Sequence, residues 1–202
     1  MARRVDHSHE ELGEMILSAA CELVEAGGSS ALTARKVANT IGYSPGTIYN
    51  IFNNLDDLIL RLNGRTLERL YLHLPRPDPD KSVENNFDGL LRGYLEFVEQ
   101  NRNLWRILFD HRPSTEEELP EWYNDKVSKL LGLIDRVIEP HAPDIHQNEL
   151  REISAALWAG VHGIISLADS RKLEVVSTAA PLDLCRLLVR SFLSGLTNTV
   201  KS

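Results

Sequence analysis

Apolar residues recur at spacings of three and four along most of the chain, and no segment alternates with the period of two that marks a strand. Leu12, Ile16, Ala19, Ala20 and Leu23 predict one face of a first helix, ended by Gly27 and Gly28. A second helix starts after Thr33, a good N-cap, and turns Val37, Ala38 and Ile41 inward before Gly42 stops it. Residues 55–74 read as a longer helix with Leu58, Leu62, Leu67 and Leu70 among its apolar positions. The run PRPDPD at residues 75–80 is a clear break. Residues 82–100 form the next helix, with Phe87, Leu91, Tyr94, Leu95 and Val98 on one side. A short helix over 104–109 is stopped by Arg112 and Pro113. Another spans 115–138, with Pro120 in its first turns or bending it, and ends near Pro140. A strongly apolar helix over 147–168 and a last one over 181–199 complete an all-α chain.

One stretch does not fit this pattern. Residues 41–52, IGYSPGTIYNIF, hold two glycines, a proline and several β-branched or aromatic residues, all poor helix formers. They make sense as a tight turn followed by a short helix. Gly42 permits a positive φ, Ser44 is placed to cap, and Pro45 suits a first helical position that needs no N–H. Ile48 and Phe52, four apart, then face inward, while Gly46, Thr47 and Asn50 share an opposite face without charge or bulk. Such a face can lie close against a partner. Small polar side chains and helix N-terminal amides suit the floor and phosphate rim of a DNA major groove.

Composition narrows the field. The 202 residues are 43% apolar and 25% charged, ordinary for a globular protein. No apolar run reaches the ~18 residues that span a bilayer, so no membrane partner is expected. The polar start MARRVDHSHEEL does not read as a secretory signal. Cys21 and Cys185 have no metal-binding spacing and read as two buried free thiols in a reduced, cytoplasmic setting. The formal net charge is −7, which argues against unspecific coating of nucleic acid but leaves room for a small reading patch. The first 66 residues carry six basic against eight acidic groups, so phosphate binding must come from local placement. The seven histidines are scattered, and no HExxH, phosphate loop, GxSxG or Cys–His arrangement occurs. The sequence gives no sign of an enzyme, and no cofactor or metal is expected.

Taken in order, AACELVEAGG, LTARKVANTIGYSPGTIYNIF and NNLDDLI over residues 12–58 resemble the DNA-binding domain of the tetracycline-repressor (TetR) family. The resemblance implies a helix-turn-helix domain over residues 1–55, with 33–41 as the supporting helix and 45–52 as the recognition helix. It further implies that Thr33 and Tyr49 hold phosphates, that Arg35 reaches a phosphate or a base edge, and that Ser44, Pro45, Gly46, Thr47 and Asn50 face the groove. Packing alone remains an alternative for Tyr49, and a solvated face for Arg35 and Lys36. The family pattern usually places a lysine where this chain has Leu55; Asn53, Asn54 or the amides of the following helix are the available substitutes.

Residues 56–202 then form a larger helical domain for effector binding and dimerisation. Within it, RNLWRILFDHRP and LWAGVHGIISLAD, the latter with Trp158, His162 and Gly163 as Trp-x-x-x-His-Gly, resemble one subgroup of the family. The resemblance implies a pocket for a small, largely apolar effector. Tyr94, Trp105, Phe109, Trp122, Trp158 and His162 are its candidate lining, with ordinary core positions as the alternative. The small residues Ala155, Ala156, Ala159, Gly160 and Gly163 let another helix approach closely, and Leu184, Leu187, Leu188, Phe192 and Leu196 make a broad apolar stripe. With the family's habit, Ala159, Gly163, Leu184, Leu188 and Phe192 are expected at a homodimer interface that sets two recognition helices on a palindromic double-stranded operator. A second reading keeps the DNA-binding unit but makes the C-terminal domain a docking platform for a protein.

Overall fold

The computed structural model describes residues 7–112, 118–142 and 144–199, with backbone alone for the last four. The elements are α1 (His9–Gly27), α2 (Ala34–Ile41), α3 (Pro45–Ile51), α4 (Leu55–His73), α5 (Val83–Gln100), α6 (Arg102–Asp110), α7 (Glu121–Ile138), α8 (Gln147–Asp169) and α9 (Pro181–Thr199), with three short 3₁₀ turns. Among the described residues every regular element is helical, as the period of three to four predicts. No described helix is long and apolar enough to cross a membrane.

Contacts within the chain divide it into two compact units, Met1–Arg69 with Val98–Leu119 and Leu70–Phe97 with Pro120–Ser202. This grouping differs from a cut at residue 55. Leu58, Ile59 and Leu62 of α4 and Leu104 and Ile107 of α6 share one apolar core with Ile16, Ala20 and Val24 of α1, Val37 of α2 and Ile48 of α3. The first three helices alone are too small to bury their apolar faces, and α4 and α6 complete the core.

Caps explain the helix ends. Ser8 and Glu11 form a reciprocal capping box at the start of α1. The Thr33 hydroxyl accepts the Lys36 N–H at 3.2 Å, and Gly42 closes α2 in the left-handed region at φ 75°. Ser44 stands at the N-cap position of α3 but does not cap with its side chain; its hydroxyl lies 3.2 Å from that of Thr47 instead. Pro120 is the N-cap of α7, and the helix starts at Glu121; Pro113 and the start expected at Thr115 lie outside the described residues, as does the side chain of Leu196. Cys185 is buried, and burial pushes its thiol up to about 11. Cys21, expected buried, is half-exposed beside Glu25 and Arg69.

Candidate functional site

The stretch 41–52 folds as a turn and a two-turn helix held from beneath. Ile48 and Phe52 are 1% and 3% exposed in the core of the first unit, and Ile51 and Leu55 pack on its edge. Seven residues of poor propensity do not form a stable helix alone; burial of Ile48 and Phe52 fixes this one. The opposite face is open: Ser44, Pro45, Gly46 and Asn50 are exposed, Thr47 is half-buried and Tyr49 is 53% exposed. A methyl group added at Gly46 would meet only the Ser44 hydroxyl, at 3.7 Å, an ordinary contact. The fold therefore does not require the missing side chain at Gly46.

Thr33 is exposed at the start of α2. Its oxygen accepts the Lys36 amide, which leaves its own hydrogen to donate outward. Arg35 and Lys36 follow on the exposed side, with no ion pair among the described residues. The other arginines of α4 in this unit are neutralised: Arg61 pairs with Asp57 at 3.1 Å, Arg65 with Glu14, and Arg69 with Glu25 at 2.9 Å. The start of α4 is equally committed. Asn54 accepts the Asp57 amide at 2.8 Å, Asp57 accepts the Asn53 amide at 3.1 Å, and Asp56 lies 3.1 Å from His111. Two carboxylates in the first turn already complement the helix dipole, so this end offers little to a phosphate. Leu55 packs on the core rather than outward.

In the second unit, Leu70, Leu74, Phe87, Leu90, Leu91, Tyr94, Leu130, Leu133, Ile134, Leu157, Trp158, Val161 and Val189 line a partly open cavity of about 80 Å³. No charged side chain lines it. The Tyr94 hydroxyl lies 3.0 Å from His162 Nδ1, and the imidazole stacks on Trp158 with centroids 5.1 Å apart at 21°. Of the expected pocket residues Tyr94 and Trp158 line this cavity, and His162 touches both without being part of its lining. Trp105 and Phe109 pair edge-on within the first unit, and Trp122 packs against Tyr123 and is not part of this lining.

The small residues of α8 divide by role. A methyl at Gly160 would approach Leu188 of α9 to 2.7 Å, so Gly160 lets α9 sit close in the same chain. Gly163 has nothing within 4 Å of that position, and Ala156 and Ala159 are exposed. Leu184, Leu188 and Phe192 are half-buried, while Leu187 is 53% exposed.

Two family profiles match the sequence: "Bacterial regulatory proteins, tetR family" over residues 16–62, and "Tetracyclin repressor-like, C-terminal domain" over residues 87–192. No curated protein sequence matches. Among solved structures, a protein of unknown function from Rhodococcus sp. RHA1 shares 21% identity over 96% of this chain and 98% of its own, with a TM-score of 0.69. A tetR-family transcriptional regulator from Streptomyces coelicolor shares 17% identity over 96% and 83%, with a TM-score of 0.60. The protein BioQ, solved with its double-stranded DNA operator, shares 14% identity over 90% and 98%, with a TM-score of 0.61.

If nothing within the chain needs Gly46, Gly46→Ala leaves thermal unfolding unchanged or raises the midpoint by a degree or two, because alanine is the better helix former by up to ~1 kcal/mol. A clear fall in the melting temperature would show that the fold itself demands the glycine.

Proposed function

Because the chain belongs to the tetR family of bacterial regulatory proteins, we propose that it acts as a twofold dimer that represses transcription from a palindromic operator and releases it when a small, largely apolar molecule binds. Membership makes it a DNA-binding transcription regulator and not an enzyme. The observation that carries the proposal is the open face of α3, small and uncharged, backed by buried Ile48 and Phe52. A helix so built lies close to base edges. Asn50 supplies the bidentate amide that reads adenine, Thr47 a methyl that meets thymine, and Arg35 a cation at the rim. Thr33 and Tyr49 donate hydroxyls to phosphates, and Ser44, Pro45 and Gly46 permit close approach. The operator-bound form of BioQ, a structural relative, supports the same use of this fold.

Dimerisation rests on α8 and α9. Ala159 is exposed, Gly163 is half-buried with nothing among the described residues within 4 Å of an added methyl, and α9 offers Leu184, Leu187, Leu188 and Phe192. A twofold mate seated there doubles the phosphate contacts of an acidic protein and presents a second α3 to the next half-site.

The effector reading rests on the cavity lined by Tyr94 and Trp158, with His162 in contact with both. Its walls favour an uncharged, apolar body, and the Tyr94–His162 pair offers one polar anchor. At about 80 Å³ it is smaller than the roughly 150 Å³ apolar cavity that admits benzene. An effector of that size or larger enters only by displacing lining side chains such as Leu70 and Trp158. That displacement gives it the differential affinity for two states that release from DNA requires. The state it favours is a dimer geometry whose recognition helices no longer fit successive grooves.

Three measurements check this. In a base-by-base operator scan, Tyr49→Phe weakens all operators alike, whereas Thr47→Ala and Asn50→Ala change the preferred base at one position, by about 1–3 kcal/mol for a lost bidentate contact; unaltered preference would remove the reading role. Sedimentation finds dimers at micromolar concentration, and Leu187→Glu shifts them toward monomer; a monomeric native chain contradicts the twofold arrangement. A thermal-shift screen finds neutral apolar compounds that raise the melting temperature, by ~2.7 kcal/mol of stability at one hundred times Kd, and Trp158→Ala changes which compounds work; a uniformly blank screen favours a C-terminal domain that docks a protein.

A further inference from the structure

We infer that Tyr71, Arg76, Lys129 and Arg136 hold a carboxylate beside the α4–α7 wall of the cavity, so that the effector is an apolar body bearing an acid group. The inference deepens the effector reading above and rests on it. Arg61, Arg65, Arg69, Arg92 and Arg186 are each tied to a carboxylate. Arg76, Lys129 and Arg136 differ: none of them has an ion pair among the described residues, yet all three gather on one phenol. The Arg76 guanidinium lies 3.8 Å over the Tyr71 ring and donates to the Tyr71 carbonyl at 2.9 Å. A hydrogen bond from Arg136 on α7, with the charges of Arg76, Arg136 and Lys129, holds the Tyr71 hydroxyl below the usual phenol range. No carboxylate among the described residues opposes that effect. Asp135, next to Arg136, instead accepts the Ser154 hydroxyl of α8, and Asp78 lies 3.6 Å from Lys81. Three like charges drawn together without a neutralising partner repel one another, and a bound anion relieves that repulsion.

The cluster and the cavity share two helices. On α4, Leu70 and Leu74 line the cavity, and Tyr71 follows Leu70. On α7, Leu133 lines it, four residues after Lys129 and three before Arg136. Side chains so spaced on a helix have Cβ atoms about 5–6 Å apart, so an apolar body against Leu133 carries its head group to both cations. Gly132 leaves room there. Glycine inside a helix is disfavoured against alanine, yet a methyl added at Gly132 meets nothing among the described residues within 4 Å. Arg136 Nε donates to the Gly132 carbonyl at 2.9 Å, which draws the guanidinium toward that gap. The turn that carries Arg76 is fixed as well. Pro75 packs on α5, where a methyl added at Gly89 or Gly93 would come within 3.5 or 3.1 Å of it. The cations are thus positioned, unneutralised and open to a ligand, and a carboxylate matches the guanidinium donors.

Calorimetry on the intact chain tests this with the straight-chain carboxylates from acetate to decanoate and the matching primary amides. All are measured at one low ionic strength, because salt screens exposed charges. In both series affinity rises by up to about fourfold per methylene while the cavity still takes up the chain. Each carboxylate binds about tenfold tighter than its amide. The double variant K129A/R136A lowers the carboxylates to the level of the amides and leaves the amides unchanged, which also shows that the variant is folded. Carboxylates no tighter than amides, or an advantage that survives K129A/R136A, would overturn the acid site while leaving an effector cavity. Acetate binding as tightly as decanoate would separate the cations from the cavity and overturn the inference. No binding by either series overturns the acid site; with the neutral-compound screen blank too, the effector reading falls with it.

Discussion

The burial of Ile48 and Phe52 is the constraint from which the reading unit follows. A seven-residue helix containing proline, glycine and three β-branched residues has no stability of its own. Two large side chains set four apart in the core of α1, α2, α4 and α6 hold it, and that anchoring frees its other face from any structural duty. A face with no structural duty can be small and uncharged, which is what close approach to a groove needs. A face of Glu, Lys, Arg or Leu, which are better helix formers with longer side chains, would stand off from a partner.

The same economy governs charge. This acidic chain ties the arginines of its fourth helix to carboxylates on α1 and α4, which knits the first unit together but withdraws those cations from DNA. What this unit leaves exposed near α3 is local and polar: the Thr33 and Tyr49 hydroxyls, Arg35 and Lys36, the groups proposed to meet phosphate. In the proposed arrangement, affinity built this way depends on two copies acting together through α8 and α9. α4 gives Leu58 and Leu62 to the core of the first unit and Leu70 to the cavity lining of the second.

Much of this was legible in the sequence, for identifiable reasons. Glycine and proline punctuate the helices so strongly that α1 and α2 end at Gly28 and Gly42 and α9 starts at Pro181, as their sequence predicts. The inward pair Ile48 and Phe52 and the outward Gly46 and Asn50 follow from helical spacing alone. Other features were not legible, because periodicity tells which residues turn inward but not into which core. Trp105 and Phe109 look like pocket aromatics, yet α6 returns to pack on α1, so they lie in the first unit. Gly160 and Gly163 look alike in sequence; only the position of Leu188 shows that one serves the chain's own packing and the other does not. The His7–Tyr43 contact joins residues 36 apart and has no local signature.

Hydrogen exchange of the full-length protein, with and without a duplex recovered from a randomised pool, tests the central claim most directly. The account predicts that DNA slows exchange at the amides of residues 45–52 and at the start of α2, while the buried centre of α1 changes little. Protection confined to other surfaces, with the amides of α3 exchanging as fast as in the free protein, would contradict it.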